Sequence, residues 1–346
     1  MARQDHTPPA LDHLVHLVPS LDESIAAYSA LGFVVIRGGT HADQLTTNAL
    51  VIFDDGIYLE LIAFVDAKEG AAVTGETVNE FEKRQRGHWW WGRATNWIDW
   101  ALTEAEGDDL AQRIDSINVV SPRYEEPQEG GRKTKRGDDL KWKVTFPKAE
   151  IPRGTLPFWC TDVTPRTLRV PPPGSPHPNG SQGVVSLTLL YSQEDFAARV
   201  EDLAVIFAHR PRPDTANDAK APLRNAGRII DGEEAVEFVA VRRPIAIQSG
   251  SSEGDPAANS QPSSSPLRIK VKRAQDPEER QWLQQYGPGL YEVEVAISAS
   301  HMPPTAPPDG IERSIEAKGY GRLRLHPTLT TVIPSQHHHY SHHPEV

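Results

Sequence analysis

The sequence predicts an α+β fold of repeated βαβββ modules, and three observations carry that prediction. The order strand, helix, strand, strand, strand recurs three times. In the clearest copy the first strand carries a histidine and the last a glutamate, each on an otherwise apolar face, and a capped helix follows the first strand.

In the first module, residues 9–66, the stretch 11–18 (Leu-Asp-His-Leu-Val-His-Leu-Val) is a strand. Strict alternation puts Leu11, His13, Val15 and Leu17 on one face and Asp12, Leu14, His16 and Val18 on the other. Ser20 to Glu23 has capping-box spacing, Ile25, Ala26, Tyr28 and Leu31 form an apolar stripe, and Gly32 is placed to end the helix. Strands follow at 33–36, 49–53 and 58–64, the last two joined by Asp54-Asp55-Gly56. A Trp-rich connector, 67–95, leads to the second module, 96–165, with strands at 97–102, 119–124, 140–146 and 154–160 and a short helix at 108–114. After a Pro-rich connector, 166–182, the third module spans 183–300: a strand at 183–191, a helix from Ser192 to about His209, and strands at 235–241 and 291–297. Residues 249–266, rich in Ser, Gly, Pro and Asn, read as a disordered insertion. Residues 1–8 read as a flexible start and 301–346 as a tail, with one more strand at 320–325 and a terminal His tract.

With 346 residues the chain is long enough for several modules, and its one cysteine, Cys160, excludes an internal disulfide framework. No secretory signal and no run of about 18 apolar residues is present, so a soluble, cytoplasmic protein is expected. A net charge of −11 argues against a nucleic-acid partner. The basic cluster from Arg132 to Arg136 reads as a solvated hairpin tip. Walker, dinucleotide-binding, serine-nucleophile and H-E-x-x-H signatures are absent.

Aligning the modules places Asp99 opposite His13 and Phe158 opposite Glu60; in the third module Ser186 and Val293 take those places, so the ligand pair is lost. Repeated modules with a first-strand His and a last-strand Glu resemble the vicinal oxygen chelate superfamily. More narrowly, Leu11 to Asp22, Ala30-Leu-Gly-Phe, Tyr58-Leu-Glu-Leu-Ile-Ala, Ile98-Asp-Trp-Ala-Leu and His177-Pro-Asn-Gly are similar to the glyoxalase-like domain family, across roughly residues 9–195. The resemblance implies that the first two modules pair into a cup-shaped sheet and the third is degenerate. It also implies that the cup binds a divalent metal (Zn, Mn, Fe, Ni or Co) through His13 and Glu60; Asp99, at the third position of the module alignment, is a hard oxygen donor that could join them, and Phe158 cannot supply a fourth ligand.

A neutral imidazole with carboxylates suits such an ion and leaves positions open for substrate. The expected function is a metal-dependent lyase, isomerase or dioxygenase acting on vicinal oxygens, with Glu60 and Asp99 catalytic. The alternative is a non-catalytic small-molecule-binding protein with a vestigial metal site. His13 bonded to a backbone carbonyl, with Glu60 paired to Arg37 or Arg93, is the competing structural reading. Expected substrate contacts are His41, Trp90, Trp159, His177 and Arg93, the last suited to holding a carboxylate. The expected partners are a small molecule and, through the third module, a second copy in a homodimer; neither nucleic acid nor membrane is expected.

Overall fold

The computed structural model describes residues 8–104, 110–120, 123–133, 137–208, 228–229, 235–242, 267–298, 301, 311–312 and 322–327. The expected insertion at 249–266 and the terminal His tract lie outside these residues.

The first half runs β1 (Ala10–Leu17), α1 (Leu21–Ala30), β2 (Ile36–Thr40), β3 (Thr46–Ile52), β4 (Tyr58–Phe64), α2 (Ala67–Thr74), α3 (Val78–Arg86), β5 (Asn96–Thr103), α4 (Leu110–Val120), β6 (Gln128–Lys133), β7 (Asp139–Thr145) and β8 (Phe158–Asp162). Its strands form one eight-stranded sheet in the order β2-β3-β4-β1-β5-β8-β7-β6. The outer strands β2 and β6 meet at an antiparallel bridge between His41 and Arg132, and Ala42 N donates to Gly131 O at 2.9 Å, so the sheet curls almost closed. The second half follows α5 (Arg166–Arg169) and runs β9 (Ser181–Tyr191), α6 (Phe196–Ala208), β10 (Arg228–Ile229), β11 (Ala235–Ala240), β12 (Leu267–Arg273), α7 (Pro277–Tyr286), β13 (Gly289–Ile297), β14 (Ile311–Glu312) and β15 (Arg322–Pro327). These strands form a seven-stranded sheet, β10-β11-β12-β9-β13-β15-β14. Among the described residues no helix is long and apolar enough to cross a membrane.

Both sheets share one pairing plan. At each centre two first strands run antiparallel, β1 with β5 and β9 with β13, and each is flanked by a parallel last strand, β4, β8, β12 or β15. β13 therefore opens a fourth repeat of the pattern rather than closing the third. The strand that closes the third is β12, which sequence reading did not see although Leu-Arg-Ile-Lys-Val-Lys-Arg alternates with period two. Two further expectations change. The strand expected at 119–124 gives way to α4, which continues to Val120, and to the later strand β6; the first part of the Trp-rich connector folds into α2, which is alanine-rich, and α3, whose apolar residues are Val78 and Phe81, capped by Asp66 and Thr77.

Local signals in the first module hold well. Ser20 caps α1 by accepting from Glu23 N at 3.3 Å, and Gly32 takes φ +83° after it. A Cβ at Gly32 would stand 2.9 Å from that of Asn179, whose side chain donates to Leu31 O. That loop thereby clamps the end of α1. A continuous apolar core joins the sheets, with Leu14 and Trp100 contributed by one and Leu187 and Val293 by the other. Tyr191 Oη donates to Thr155 O at 2.6 Å and Asp55 accepts from Val184 N at 3.0 Å, further tying the halves together.

Candidate functional site

The site begins with an irregularity in β1. Pairing with β5 skips Asp12, between Leu11 and His13, so alternation fails there and Leu11 joins Leu14 in the inter-sheet core. Asp12, expected on the face opposite His13, instead comes within bonding distance of it: His13 Nδ1 lies 2.7 Å from Asp12 Oδ2. Arg169 donates to the same carboxylate at 3.0 Å and Arg166 also bonds to it. Burial alone would raise the Asp12 carboxyl, but Arg166 and Arg169 outweigh it and hold the group well below the usual carboxylate range. An ionised Asp12 can only accept, so Nδ1 of His13 carries a proton and Nε2 is the ring atom turned toward Glu60. Tyr58 stacks on the ring at 4.8 Å and Phe158 meets it edge-on at 5.4 Å.

Glu60 reaches the same place from β4, where it pairs with Val15, two residues beyond His13. Its Oε2 lies 3.5 Å from His13 Nε2 and its Oε1 lies 3.6 Å from His41 Nε2. Asn48 donates to Oε1 at 2.7 Å, its own Oδ1 fixed by Gly39 N at 3.1 Å. A side chain at Gly38 would put a Cβ 2.0 Å from Asn48 Oδ1, so only glycine permits this approach. His41 Nδ1 meets Thr46 Oγ1 at 2.7 Å, and burial lowers its pKa against the pull of Glu60 and Asp43, keeping the ring neutral at pH 7. Nε2 of His13 thus faces a buried carboxylate oxygen, an arrangement that a shared proton or a bound cation would satisfy.

Two sets of side chains offer donors to a metal. Asp12, His13 and Cys160 have ligating atoms within 4.8 Å of one another. That group fits poorly, because two guanidiniums already neutralise Asp12 and burial pushes the Cys160 thiol up, away from thiolate. His13 Nε2 and Glu60 fit better. Ligand atoms at about 2.0–2.2 Å from a tetrahedral ion stand roughly 3.4 Å apart, close to the observed 3.5 Å.

These groups form one end of a cavity of about 160 Å³ walled by aromatic rings, among them Trp89, Trp90, Trp142 and Phe146. Of the residues expected from the sequence, His13, Glu60, His41 and Trp90 line it. The others lie elsewhere. Asp99 holds the position in β5 that His13 holds in β1, since β5 skips Ile98 as β1 skips Asp12, but it pairs with Val15 and its carboxylate accepts from Trp90 Nε1 at 3.1 Å and Trp100 N at 3.1 Å. Burial raises its pKa, opposed by Arg153. Arg93 donates to Arg153 O at 2.7 Å and does not line the cavity, so the carboxylate-holding role expected of it has no support in its position. Trp159 is buried in the inter-sheet core, on the opposite face of β8 from Phe158 and Cys160. His177 accepts from Val34 N at 2.9 Å and contacts Ile52 O at 3.0 Å, which makes it a structural tie. Of the three consecutive tryptophans Trp90 is buried, while Trp89 and Trp91 are about 40% and 41% exposed. Sequence reasoning missed Asp12, Asn48 and Arg132 as parts of the site. The Asp-His dipeptide was visible, but the bulge that turns both side chains the same way was not.

Residues 11–204 match the profile of a family described as a glyoxalase-like domain. Among solved structures, the chain is similar to a hypothetical protein from Staphylococcus aureus (TM-score 0.57, 10% identity, covering 92% of this chain and 100% of the other). It also matches a mutant of 4-hydroxymandelate synthase from Streptomyces coelicolor (0.43, 11%, 85% and 72%) and methylmalonyl-CoA epimerase from Mycobacterium tuberculosis (0.29, 17%, 49% and 95%). At these identities the likeness speaks to the fold. No curated protein matches the chain.

Proposed function

The chain belongs to the glyoxalase-like domain family, and from that premise we propose that its first-sheet cavity is the site of a divalent-metal-dependent enzyme acting on a small molecule with two neighbouring oxygens. One observation carries the reading: Nε2 of His13, whose Nδ1 is bonded to Asp12, faces Glu60 Oε2 at 3.5 Å, with the carboxylate steadied by Asn48. His13 and Glu60 would hold the ion, with His41 beside the second carboxylate oxygen. When bound, such an ion supplies Lewis-acid polarisation of substrate oxygens.

The remaining work falls to side chains of the chain itself. Asp12 keeps the His13 tautomer fixed and its Nε2 aimed into the cavity. Glu60 Oε1, opposite His41, is the atom placed to take or return a proton next to the bound oxygens. The aromatic walls exclude water and take the apolar part of the substrate. This chemistry suits a lyase or isomerase, and a His-carboxylate set with open positions equally suits a dioxygenase. The net charge of −11 and the single cysteine support a small-molecule ligand rather than nucleic acid and a cytoplasmic setting.

A second reading, a binding protein without catalysis, is favoured by the second half of the same sheet. Phe158 stands where the pattern would repeat Glu60, and Asp99 is already held by Trp90 and Trp100. Cobalt(II) titration followed by visible absorption tests the metal claim. Replacement of Glu60 by Gln is expected to weaken binding by about a hundredfold while the fold persists, since shape is kept and one anionic ligand is lost. Equal cobalt affinity in the two proteins would remove Glu60 from the site.

A further inference from the structure

The cavity holds a cation that the metal reading does not use. Arg132 lies on β6, in the charged stretch expected to be a solvated hairpin tip, yet it is only 8% exposed and lines the cavity. The seam explains its direction. β6 meets β2 at the His41 bridge, which turns Arg132 inward against β2 while its neighbour Lys133 stays exposed and pairs with Asp139.

Its partners set it apart from the other arginine on the cavity wall. Arg169 is committed to Asp12, Asp162 and the Tyr58 hydroxyl. Arg132 donates to two main-chain carbonyls, Gly38 O at 2.6 Å and Arg169 O at 3.4 Å, and among the described residues no carboxylate lies within ion-pair distance of it. The carboxylate that acts on it through space is Glu60, which is engaged by Asn48 and faces both histidines. A guanidinium has five N–H donors in a fixed fork. Two carbonyls leave part of that fork unspent, and a buried charge without a counterion is costly unless a ligand supplies one.

We infer that Arg132 anchors an anionic substrate: the cavity takes a compact, flat, apolar acid whose carboxylate meets the Arg132 guanidinium and whose body lies between the aromatic walls. The inference rests on the proposal that this cavity is the ligand site, but it does not depend on the metal. It moves to Arg132 the carboxylate-binding task that the sequence suggested for Arg93. Carboxylate recognition by a forked donor in a desolvated site gives selectivity as well as affinity, because a neutral isostere leaves the charge unmet.

The test uses benzoate and its neutral isostere benzamide, with binding followed by quenching of tryptophan fluorescence, since Trp89, Trp90 and Trp142 line the cavity. The full-length protein is used as purified, and the metal content of each sample is measured in parallel. The wild type is expected to bind benzoate about tenfold or more tightly than benzamide. Arg132→Gln should abolish that preference with metal content unchanged, and Arg132→Lys, which keeps the charge and loses the fork, should retain part of it. Equal affinity for the two probes in the wild type would overturn the inference. So would a preference that survives in Arg132→Gln, and a preference that disappears in His13→Ala but not in Arg132→Gln would assign the carboxylate to the metal site instead. Should Arg132→Gln fail to fold, the wild-type comparison and the lysine variant still decide. Absence of metal in every sample, with the benzoate preference intact, would sink the metal reading and leave Arg132 in its role.

Discussion

The two sheets follow one pairing plan but present opposite chemistry at matching positions. In the first sheet His13 follows the bulge in β1, and Glu60 pairs with the residue two places further on. In the second sheet β9 skips Val185, Ser186 stands where His13 does, and Lys270 pairs with Thr188 as Glu60 pairs with Val15. The partner strands keep a carboxylate at the first position, Asp99 in one sheet and Glu292 in the other, and differ at the second, Phe158 against Arg324. An ammonium in place of a carboxylate removes the capacity to hold a cation. What the second sheet builds instead is a ladder of ion pairs between partly exposed cations and buried glutamates: Lys270 with Glu294 at 3.6 Å and Arg324 with Glu292 at 3.2 Å. The fold is thus a scaffold whose four equivalent positions carry different side chains in the two sheets, while apolar faces from both sheets join in one core.

That contrast can be broken at three depths. The largest effect on stability is expected from Asp12, whose carboxylate is wholly buried and neutralises two guanidiniums beside His13. Asp12→Ala should cost about 3–5 kcal/mol, because it strands buried positive charge; urea unfolding measures it, and a loss below about 1 kcal/mol would mean the network is solvated. An intermediate effect belongs to the joint between the sheets. Burial pushes the Asp55 carboxyl up from 3.8 to about 6, against Arg242 and the Ile57 and Val184 N–H groups. The raised folded value means the contribution is fully present below about pH 4 and is lost as pH rises to about 6, a change of roughly 3 kcal/mol. Unfolding free energies between pH 4 and 7 should therefore carry a falling component in the wild type that Asp55→Asn lacks; identical pH profiles would refute the assignment. The smallest effect is expected in the second sheet, where Lys270 is a third exposed. Lys270→Ala should change stability by no more than about 1 kcal/mol, as screened surface pairs do, and a larger loss by thermal melting would show that this face is more deeply buried in its environment than its ion pairs suggest.

Legibility in the sequence followed the range of the interactions. The first module was readable because its signals are local: the Ser20 cap, the Gly32 stop, and His13 and Glu60 standing out in apolar strands. The pairing of Asp99 with the His13 position was readable too, since both first strands share a pattern. What lay beyond reach depended on distant partners. The bulge at Asp12 is set by β5, and the arginines that fix its charge arrive from 154 and 157 residues away. Arg132 looked solvated because charge clusters usually are, and only closure of β2 against β6 turns it inward. β12 was overlooked because its alternating lysines and arginines resemble a soluble linker until the sheet supplies a second face.

The central claim is that the ligand-bearing chemistry belongs to the first sheet and has been lost from the second. Elemental mass spectrometry of the full-length protein, its His13→Ala variant and its Lys270→Ala variant, purified alike, tests this most directly. The account predicts that His13→Ala alone loses one equivalent of divalent metal per chain, while any ions held by the terminal His tract cancel in the comparison. Equal metal content in all three proteins would contradict it.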